Sequence, residues 1–326
     1  SDDSVSWETV TEQGRQRLLA MGEEQGIFWM DFSDLMRYFD CVDVCKIRPH
    51  WQETRIKGTF SMNGTDLPKV VGLTVFSTTE IELGLFQEGS RGDCSRYPLD
   101  LCIVVLRETS DPQRISVGKI ITHSQRQLRG FVGCDYMFNP GKYIIVPMAF
   151  SHWNDSKDTS RPNFVVSIHS SKKVLVCDNV VAGPYVLADT LIQLAVTNGS
   201  KEELRLGVHA YTLMSGWAGS IIVVENLLPN YWVHVRCNCS NSSNIVSTRG
   251  TLEVADVIPP YHRQVIMVLS HLERSQPYHL SRQLFHRITN CNCGLGEWAP
   301  PQFSSAPHYP EISRDFAPLH IPRLYI

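Results

Sequence analysis

The chain has 326 residues, a length that predicts about two domains, each able to bury a core of its own. It carries 30 Lys and Arg against 33 Asp and Glu, so its net charge of -3 offers no concentrated basic face, and nucleic acid is excluded as a partner. No apolar run approaches the roughly 18 residues that a membrane span needs, so membrane association is not expected.

The first 40 residues carry helical patterns. Thr11 is placed to cap a helix over TEQGRQRLLA, and Ser33 is placed to cap DLMRYF. An apolar stripe with helical spacing follows that second cap, formed by Phe32, Leu35, Met36 and Phe39. Such a stripe needs a partner surface, and residues 1–40 are too short to supply one. We therefore expect the matching surface to lie upstream and the chain to begin inside a domain.

From Val42 onward the pattern changes to short strands. VDVCKI, TRIKGTF, KVVGLTVF, TEIELGLF, LCIVVL and RISVGKI are rich in β-branched and aromatic residues, and Gly, Pro, Asn and Asp interrupt them. The triplet Asn139-Pro140-Gly141 predicts a reversal before the strand KYIIVPM. NFVVSIHSS closes this group, and the spacing is typical of an antiparallel β-sandwich.

A second group of strands predicts a second β-rich domain, either another sandwich or an open barrel, from about 173 to 272. Its strands are YVLADTLIQLAVTN, LRLGVHAYTLM, GSIIVVENL, YWVHVRCNC, NIVSTRGTLEV and RQVIMVLSHL. HLSRQLFHRI has apolar residues on one side and predicts a closing helix. The Pro- and Ser-rich residues 300–326 are predicted to be largely disordered, because they offer little to bury.

The segment HAYTLMSGW invites a catalytic interpretation. A Cys-His-Asn protease site needs a thiolate, an imidazole that shares its proton and an amide that orients the ring. His209 and Asn226 supply two of these groups, but no cysteine stands out as the third. We therefore favour a strand histidine with a satisfied hydrogen bond, and a self-contained hydrolase that uses His209 is the minority hypothesis.

The cysteines allow one metal hypothesis. The sequence CNC occurs twice, at Cys237 and Cys239 and again at Cys291 and Cys293, and four thiolates could hold zinc if the segments met in space. The usual ligand spacing is two to four residues between cysteines, so free thiols are the favoured interpretation. The 10 cysteines have no regular spacing and no secretory signal precedes them, which indicates reduced thiols and a cytoplasmic protein.

Several segments resemble the calpain family. GIFWMDFSDLMRYFDCVDVCKI, residues 26–47, is similar to the end of the calpain protease core, and SDDSVSW resembles the piece that follows the family's catalytic Asn. NPGKYIIVPMAF and NFVVSIHSS are similar to a strand pair of the calpain β-sandwich. GWAGSIIVVEN, NIVSTRGTL and IPPYHRQVIMVLSHLE resemble the C-terminal domain of the small optic lobes subfamily.

The resemblance implies a mainly β chain with four parts. Residues 1–47 would be the C-terminal helical tail of a papain-like protease lobe, and residues 48–172 a calpain-type antiparallel β-sandwich of the C2-like kind. Residues 173–299 would be the small optic lobes type β-rich domain, and residues 300–326 the disordered tail.

The resemblance also implies a function. Calpains are calcium-linked cytosolic cysteine endopeptidases, and their catalytic Cys, His and Asn all precede the segment at which this chain starts. The chain should therefore be inactive alone and serve a regulatory or scaffolding role, with its own protease core and protein substrates as partners. The alternative is a non-catalytic β-sandwich interaction module without a protease parent.

The family's calcium site is expected to survive only as a remnant. Asp2 matches one acidic ligand of the second protease lobe, whereas Gln25 and Ile27 occupy two positions that are acidic in conventional calpains. An amide can still offer a carbonyl oxygen, but isoleucine cannot, and the lost charge weakens the attraction for a divalent cation. Calcium would thus act in the parent enzyme and bind this chain weakly or not at all.

Overall fold

The computed structural model describes residues 5–20, 29–40, 46–60, 67–89, 98–111, 114–151, 162–273, 276–292, 295 and 318–324. The chain divides into two compact units, Ser1–Pro49 and His50–Ile326, which are described separately. The architecture is mainly β with several antiparallel sheets, as the sequence predicts.

The first unit is helical. It contains a 3-10 helix, Val5–Thr9, and two α-helices, α1 over Glu12–Ala20 and α2 over Phe32–Tyr38. The cap predicted at Thr11 is confirmed, because its Oγ1 accepts a hydrogen bond from the Gly14 N–H at 3.2 Å.

The cap predicted for α2 is wrong by two residues. Asp31, rather than Ser33, precedes the helix in extended conformation, and its carboxylate accepts a hydrogen bond of 2.8 Å from the Ser33 N–H. A carboxylate two residues before a free N–H reaches it as readily as a serine hydroxyl does, so the earlier residue takes the role. Phe32, Met36 and Phe39 of the apolar stripe are exposed, Leu35 is partly buried, and α2 has no buried residue.

The described part of the second unit contains one α-helix, α3 over Val186–Asn198, and a series of strands. The strands are β1 Gln52–Thr59, β2 Val70–Val75, β3 Thr79–Gln87, β4 Asp100–Asp111, β5 Arg114–His123, β6 Gln127–Leu128, β7 Phe131–Phe138, β8 Gly141–Met148, β9 Asn163–Ser170, β10 Val174–Val180, β11 Ser200–Arg205, β12 Val208–Leu213, β13 Ser220–Asn226, β14 Trp232–Asn238, β15 Ile245–Ser247, β16 Glu253–Ile258, β17 His262–His271, β18 Gln283–Thr289 and β19 Arg323–Leu324.

Two sheets form the first sandwich. One has the order β1-β9-β3-β7, and the other has the order β10-β2-β8-β4-β5 with β6 beside β4. Their facing sides bury one hydrophobic core, with Ile81, Leu85, Ile103 and Ile145 among its fully buried members. Strand β10 pairs with β2 in this sandwich, although the predicted boundary assigns it to the following domain.

Two further sheets form the second sandwich. One has the order β11-β12-β13-β17-β15 with β19 beside β17, and the other has the order β16-β14-β18. Their facing sides bury a second core. The strand predicted at YVLADTLIQLAVTN is wrong, since this segment is the helix α3. The helix buries seven of its residues, so its apolar side chains cover more than one face and hide the helical period.

A third core joins the two sandwiches. Helix α3 packs between β5 and β8 of the first sandwich and β12, β13 and β17 of the second. Buried residues of α3, β4, β8, β12, β13 and β17 form one cluster. The central sheets are therefore buried on both faces, which explains why LCIVVL and SIIVVEN are continuous apolar runs rather than alternating ones.

Two predictions near the C-terminus are wrong. HLSRQLFHRI contains the strand β18 rather than a helix, and exposed and partly buried residues alternate along it because it covers one edge of the three-stranded sheet. Residues 318–324, which we call the C-terminal strap, are ordered: Leu319 and His320 are buried, and β19 pairs with β17. The other residues of the predicted disordered tail, 300–317 and 325–326, lie outside the described residues.

Candidate functional site

His209 lies in a buried polar cluster on the α3 side of β12. Its Nδ1 is 2.9 Å from Glu225 Oε2 on the neighbouring strand β13, and the Tyr211 hydroxyl donates to the same oxygen at 2.9 Å. The Arg263 guanidinium pairs with Oε1, the other oxygen of that carboxylate. Burial raises the pKa of Glu225, but the bonds from His209, Arg263 and Tyr211 outweigh it and hold the pKa below its usual value. Both oxygens of the Glu225 carboxylate therefore have partners within the protein.

Asn226 does not orient the His209 ring. Its amide nitrogen donates to the carbonyls of Tyr231, Ile258 and Pro259, and its side-chain oxygen accepts from the Leu228 N–H at 3.0 Å. These hydrogen bonds fix the turn that follows β13 and tie it to the end of β16. Asn226 therefore has a structural role, and the triad geometry is absent at this position.

The described cysteines lie away from His209. None is on β11, β12, β13 or β17, the strands that surround it, in the part of the chain that the structure describes. Burial raises the pKa of Cys102 and of Cys134 to about 12, so both remain protonated thiols at neutral pH. These thiols are poor nucleophiles, and the favoured structural interpretation of His209 agrees with the geometry.

The structure does not bring the two CNC segments together. Cys237 and Cys239 are buried at one end of β14, with their Sγ atoms 4.0 Å apart. Cys237 is opposite Leu284 of β18, whereas Cys291 follows the far end of that strand, about 23 Å along it. Cys291 is disulfide-bonded, so the prediction of reduced thiols is wrong at this position, and Cys293 lies outside the described residues. The described sulfurs cannot share one zinc ion.

The predicted calcium remnant, Asp2 and Gln25, lies outside the described residues, as does Ile27. Among the residues that the structure describes, no group of three or more His, Cys, Asp or Glu side chains is placed to hold a metal ion. No described helix is long and apolar enough to cross a membrane.

A buried ion pair connects the two sandwiches, and sequence reasoning missed it. Arg126 Nε lies 2.9 Å from Asp100 Oδ2, and both side chains are 2% exposed or less. Arg126 Nη2 donates to the Leu269 carbonyl at 2.6 Å and to the Ser270 hydroxyl at 2.8 Å, both on β17 of the second sandwich. Arg126 thus spans the boundary between the two sandwiches.

Asp100 is held from both sides of the same boundary. Its Oδ1 accepts hydrogen bonds from the N–H groups of Phe150 and Ser151, at 2.7 and 2.8 Å, in the first sandwich. Its Oδ2 accepts from the Ser270 hydroxyl at 3.0 Å in the second. A carboxylate with this many partners tolerates burial, and it makes the relative position of the sandwiches specific.

The C-terminal strap provides a second connection that the sequence did not reveal. Arg323 donates to both oxygens of Asp189 on α3, at 2.6 and 3.0 Å, and its guanidinium lies over the Tyr185 ring at 4.2 Å. Within the strap, His320 Nδ1 is 2.8 Å from the Val265 carbonyl. Burial lowers the pKa of His320 to about 3, so its ring is neutral at physiological pH.

Comparison with protein families gives two matches. Residues 1–46 match the calpain family cysteine protease model, and residues 194–292 match the C-terminal domain model of calpain-D-like proteins. The second match covers the end of α3 and most of the second sandwich.

Individual relatives agree with these matches. The calpain-2 catalytic subunit of Oryctolagus cuniculus is 23% identical over 217 residues, which cover 53% of this chain and 50% of that protein. The calpain-2 catalytic subunit of Mus musculus is 22% identical over 53% of this chain and 30% of its own length. The chain thus spans at most about half the length of these curated relatives.

Among solved structures, the pre-peptidase C-terminal domain of a collagenase from Bacillus anthracis is similar at 20% identity, over 36% of this chain and 88% of that domain. The TM-score is 0.24, too low to support a structural argument. The family models matched by residues 1–46 and 194–292, together with the calpain-2 relatives, show that this chain is similar to calpain family proteins over these segments.

Proposed function

We propose that this chain is the C-terminal, non-catalytic part of a calpain-type cysteine endopeptidase of the small optic lobes subfamily. Its parent would carry out limited, calcium-linked proteolysis of cytoplasmic proteins through a Cys thiolate and a His upstream of Ser1. In this proposal residues 1–47 belong to the second protease lobe, and the chain's partners are its own protease core and the protein substrates. Its own role is regulatory or scaffolding.

One observation supports the scaffolding role. The two sandwiches share a buried core with α3, and an ion pair and hydrogen bonds among Asp100, Arg126 and Ser270 connect them. Two β units joined in this way present their exposed loops and edges in a fixed arrangement, which suits a platform for partners. The Glu225 carboxylate is fully used by bonds from His209, Tyr211 and Arg263, which favours a structural role over chemistry at this cluster.

The match of residues 1–46 to the cysteine protease family favours this proposal over an interaction module that has no protease parent. We expect the chain to leave a fluorogenic calpain peptide substrate intact in the presence of calcium and a reductant. Turnover that a thiol-directed covalent inhibitor abolishes would contradict the proposal. The His209→Ala variant is the matched control, because loss of any such turnover in it would assign the activity to the minority hydrolase hypothesis.

A further inference from the structure

Strand β7 is an edge of the first sandwich with open hydrogen-bonding groups. It pairs with β3, and within the described residues no strand pairs with its other side. The Gln87 N–H donates to the Gly130 carbonyl, which fixes the alternation of the antiparallel ladder. By that alternation, the N–H and C=O groups of Phe131, Gly133, Asp135 and Met137 point away from β3 toward the open edge.

This edge has few of the features that usually prevent strand addition. Its sequence, FVGCDYMF, has no Lys and no Pro, and Asp135 is its one charged residue. Protected edges carry lysines, prolines or bulges, or they are short. Three large side chains of β7 are substantially exposed, Phe131 by 49%, Tyr136 by 43% and Met137 by 53%. An edge of eight residues with this composition is an open template for a further strand.

A groove of about 420 Å³ runs along the same edge. One wall is formed by residues 132–135 of β7, and the other by the end of β5 and the following turn, residues 122–125, together with Gln127. The second wall offers hydroxyl and amide side chains to a chain lying beside β7. Ligand sites commonly have volumes of about 300–1,000 Å³, so the groove can hold several peptide residues.

The side chains on the outer face of the sheet determine which residues would be favourable on an added strand. At one end of β7, Phe131 stacks on Phe86 of β3 with ring centroids 4.6 Å apart. Asp135 follows Phe131 by four residues and lies on the same face. It is directly opposite Glu82 of β3, and Glu82 in turn lies opposite His169 of β9. Like charges directly opposite each other are unfavourable, and a basic residue beside Asp135 would offset that repulsion.

We propose that β7 is a docking site for an extended peptide of a protein partner, which adds as a further strand with an apolar residue beside Phe131 and a Lys or Arg beside Asp135. These two positions are four residues apart in the peptide, because alternate residues of a strand share a face. The backbone bonds provide the affinity and the two side chains provide the selectivity, as in other modes of β-strand addition. A second copy of the chain fits less well, because pairing β7 with itself supplies no basic residue to Asp135.

The test uses the full chain and the fluorescein-labelled peptide TTKTTTFTT, with fluorescence anisotropy as the readout. The matched probe TTETTTFTT replaces the lysine by glutamate. We expect the lysine peptide to bind about fivefold more tightly than the glutamate peptide, the range expected for a cross-strand charge pair. Asp135→Lys should reverse this preference, whereas Glu203→Lys on the exposed edge strand β11 should leave it unchanged.

Hydrogen exchange gives an independent readout of the binding mode. The bound lysine peptide should slow amide exchange at Gly133, Asp135 and Met137, whose N–H groups face the open edge. Binding without this protection would overturn strand addition, and so would a preference that Asp135→Lys does not reverse. Absence of binding by both peptides at about 1 mM would also overturn the proposal. Sedimentation velocity tests whether two copies of the chain pair through β7. A dimer that the Asp135→Lys substitution dissociates would assign the edge to self-association and refute the proposal of a peptide partner.

Discussion

Replacement of Arg126 by methionine should lower the free energy of unfolding, because it removes polar bonds between the two sandwiches. The substitution removes the ion pair to Asp100, the two bonds to Leu269 and Ser270 and the guanidinium contact with the Phe150 ring, while methionine retains a long apolar side chain. Loss of one partner from a buried ion pair typically costs about 3–5 kcal/mol. Asp100 keeps its other hydrogen bonds, so we expect the free energy of unfolding to fall by about 3 kcal/mol, the lower end of that range.

Urea unfolding followed by tryptophan fluorescence and by far-UV circular dichroism measures this change. Because the unit contains two sandwiches, agreement between the two probes is required before a single free energy is derived. Arg249→Met is the matched control, since Arg249 pairs with Asp256 at 2.8 Å inside the second sandwich. It should destabilise the protein without increasing hydrogen exchange in β4 at the boundary, whereas Arg126→Met should increase exchange there.

The double variant Arg126→Met with Asp100→Asn tests the coupling directly. Each single change leaves one buried group without its charged partner, whereas the double change leaves neither, so its cost should be smaller than the sum by more than about 1 kcal/mol. Additive costs, or a loss below about 1 kcal/mol for Arg126→Met, would refute the role of this pair in holding the sandwiches together.

Four further predictions concern acid, charge and metals. The pKa of His320 is about 3 in the folded protein, below its usual value of 6.5. The neutral ring therefore contributes stability above pH 6.5, and this stability is lost progressively as the pH falls toward 3. The His320→Gln variant should show a smaller decrease in the free energy of unfolding over this pH range. The pKa of Glu225 is lowered from 4.5, so its contribution is present above that pH and is lost below it, and Glu225→Gln should cost about 1–3 kcal/mol at pH 7 but much less at pH 3. Calcium at 1 mM should raise the unfolding free energy by less than about 0.4 kcal/mol, which corresponds to a dissociation constant above 1 mM; calorimetry that shows micromolar binding would contradict the remnant site at Asp2 and Gln25. Metal analysis of the purified chain should show no stoichiometric zinc, and one zinc per chain would contradict the separation of Cys237 from Cys291.

The strands were predictable where local sequence alone decides the outcome. LCIVVL, SIIVVEN and RQVIMVLSHL are β-branched apolar runs too short for anything but buried strands, and the structure places strands at all three. The helix α3 was not predictable in this way, because burial between two sandwiches gives it apolar residues on most of its surface. The sequence of α3 is therefore an almost continuous apolar run, which is also the pattern of a buried strand.

The connections between the sandwiches depend on contacts that are distant in sequence. Asp100 directly precedes an apolar run and Arg126 lies in a polar turn, and neither position indicates that Ser270 will meet both. The strap has the same character, since Arg323 reaches Asp189 across 134 positions of sequence. Local pattern carries no information about such pairs, which tertiary packing alone brings together.

The most direct test of the account is whether the chain contains a cysteine protease nucleophile. A peptidyl epoxide that alkylates the active-site thiolate of papain-like proteases should be added at stoichiometric concentration, with calcium and a reductant, and the intact mass measured. We expect an unchanged mass, because the proposed function assigns the nucleophile and its histidine to a part of the parent enzyme outside this chain. A single adduct on one cysteine that His209→Ala abolishes would contradict it and would show that the catalytic pair is in this chain.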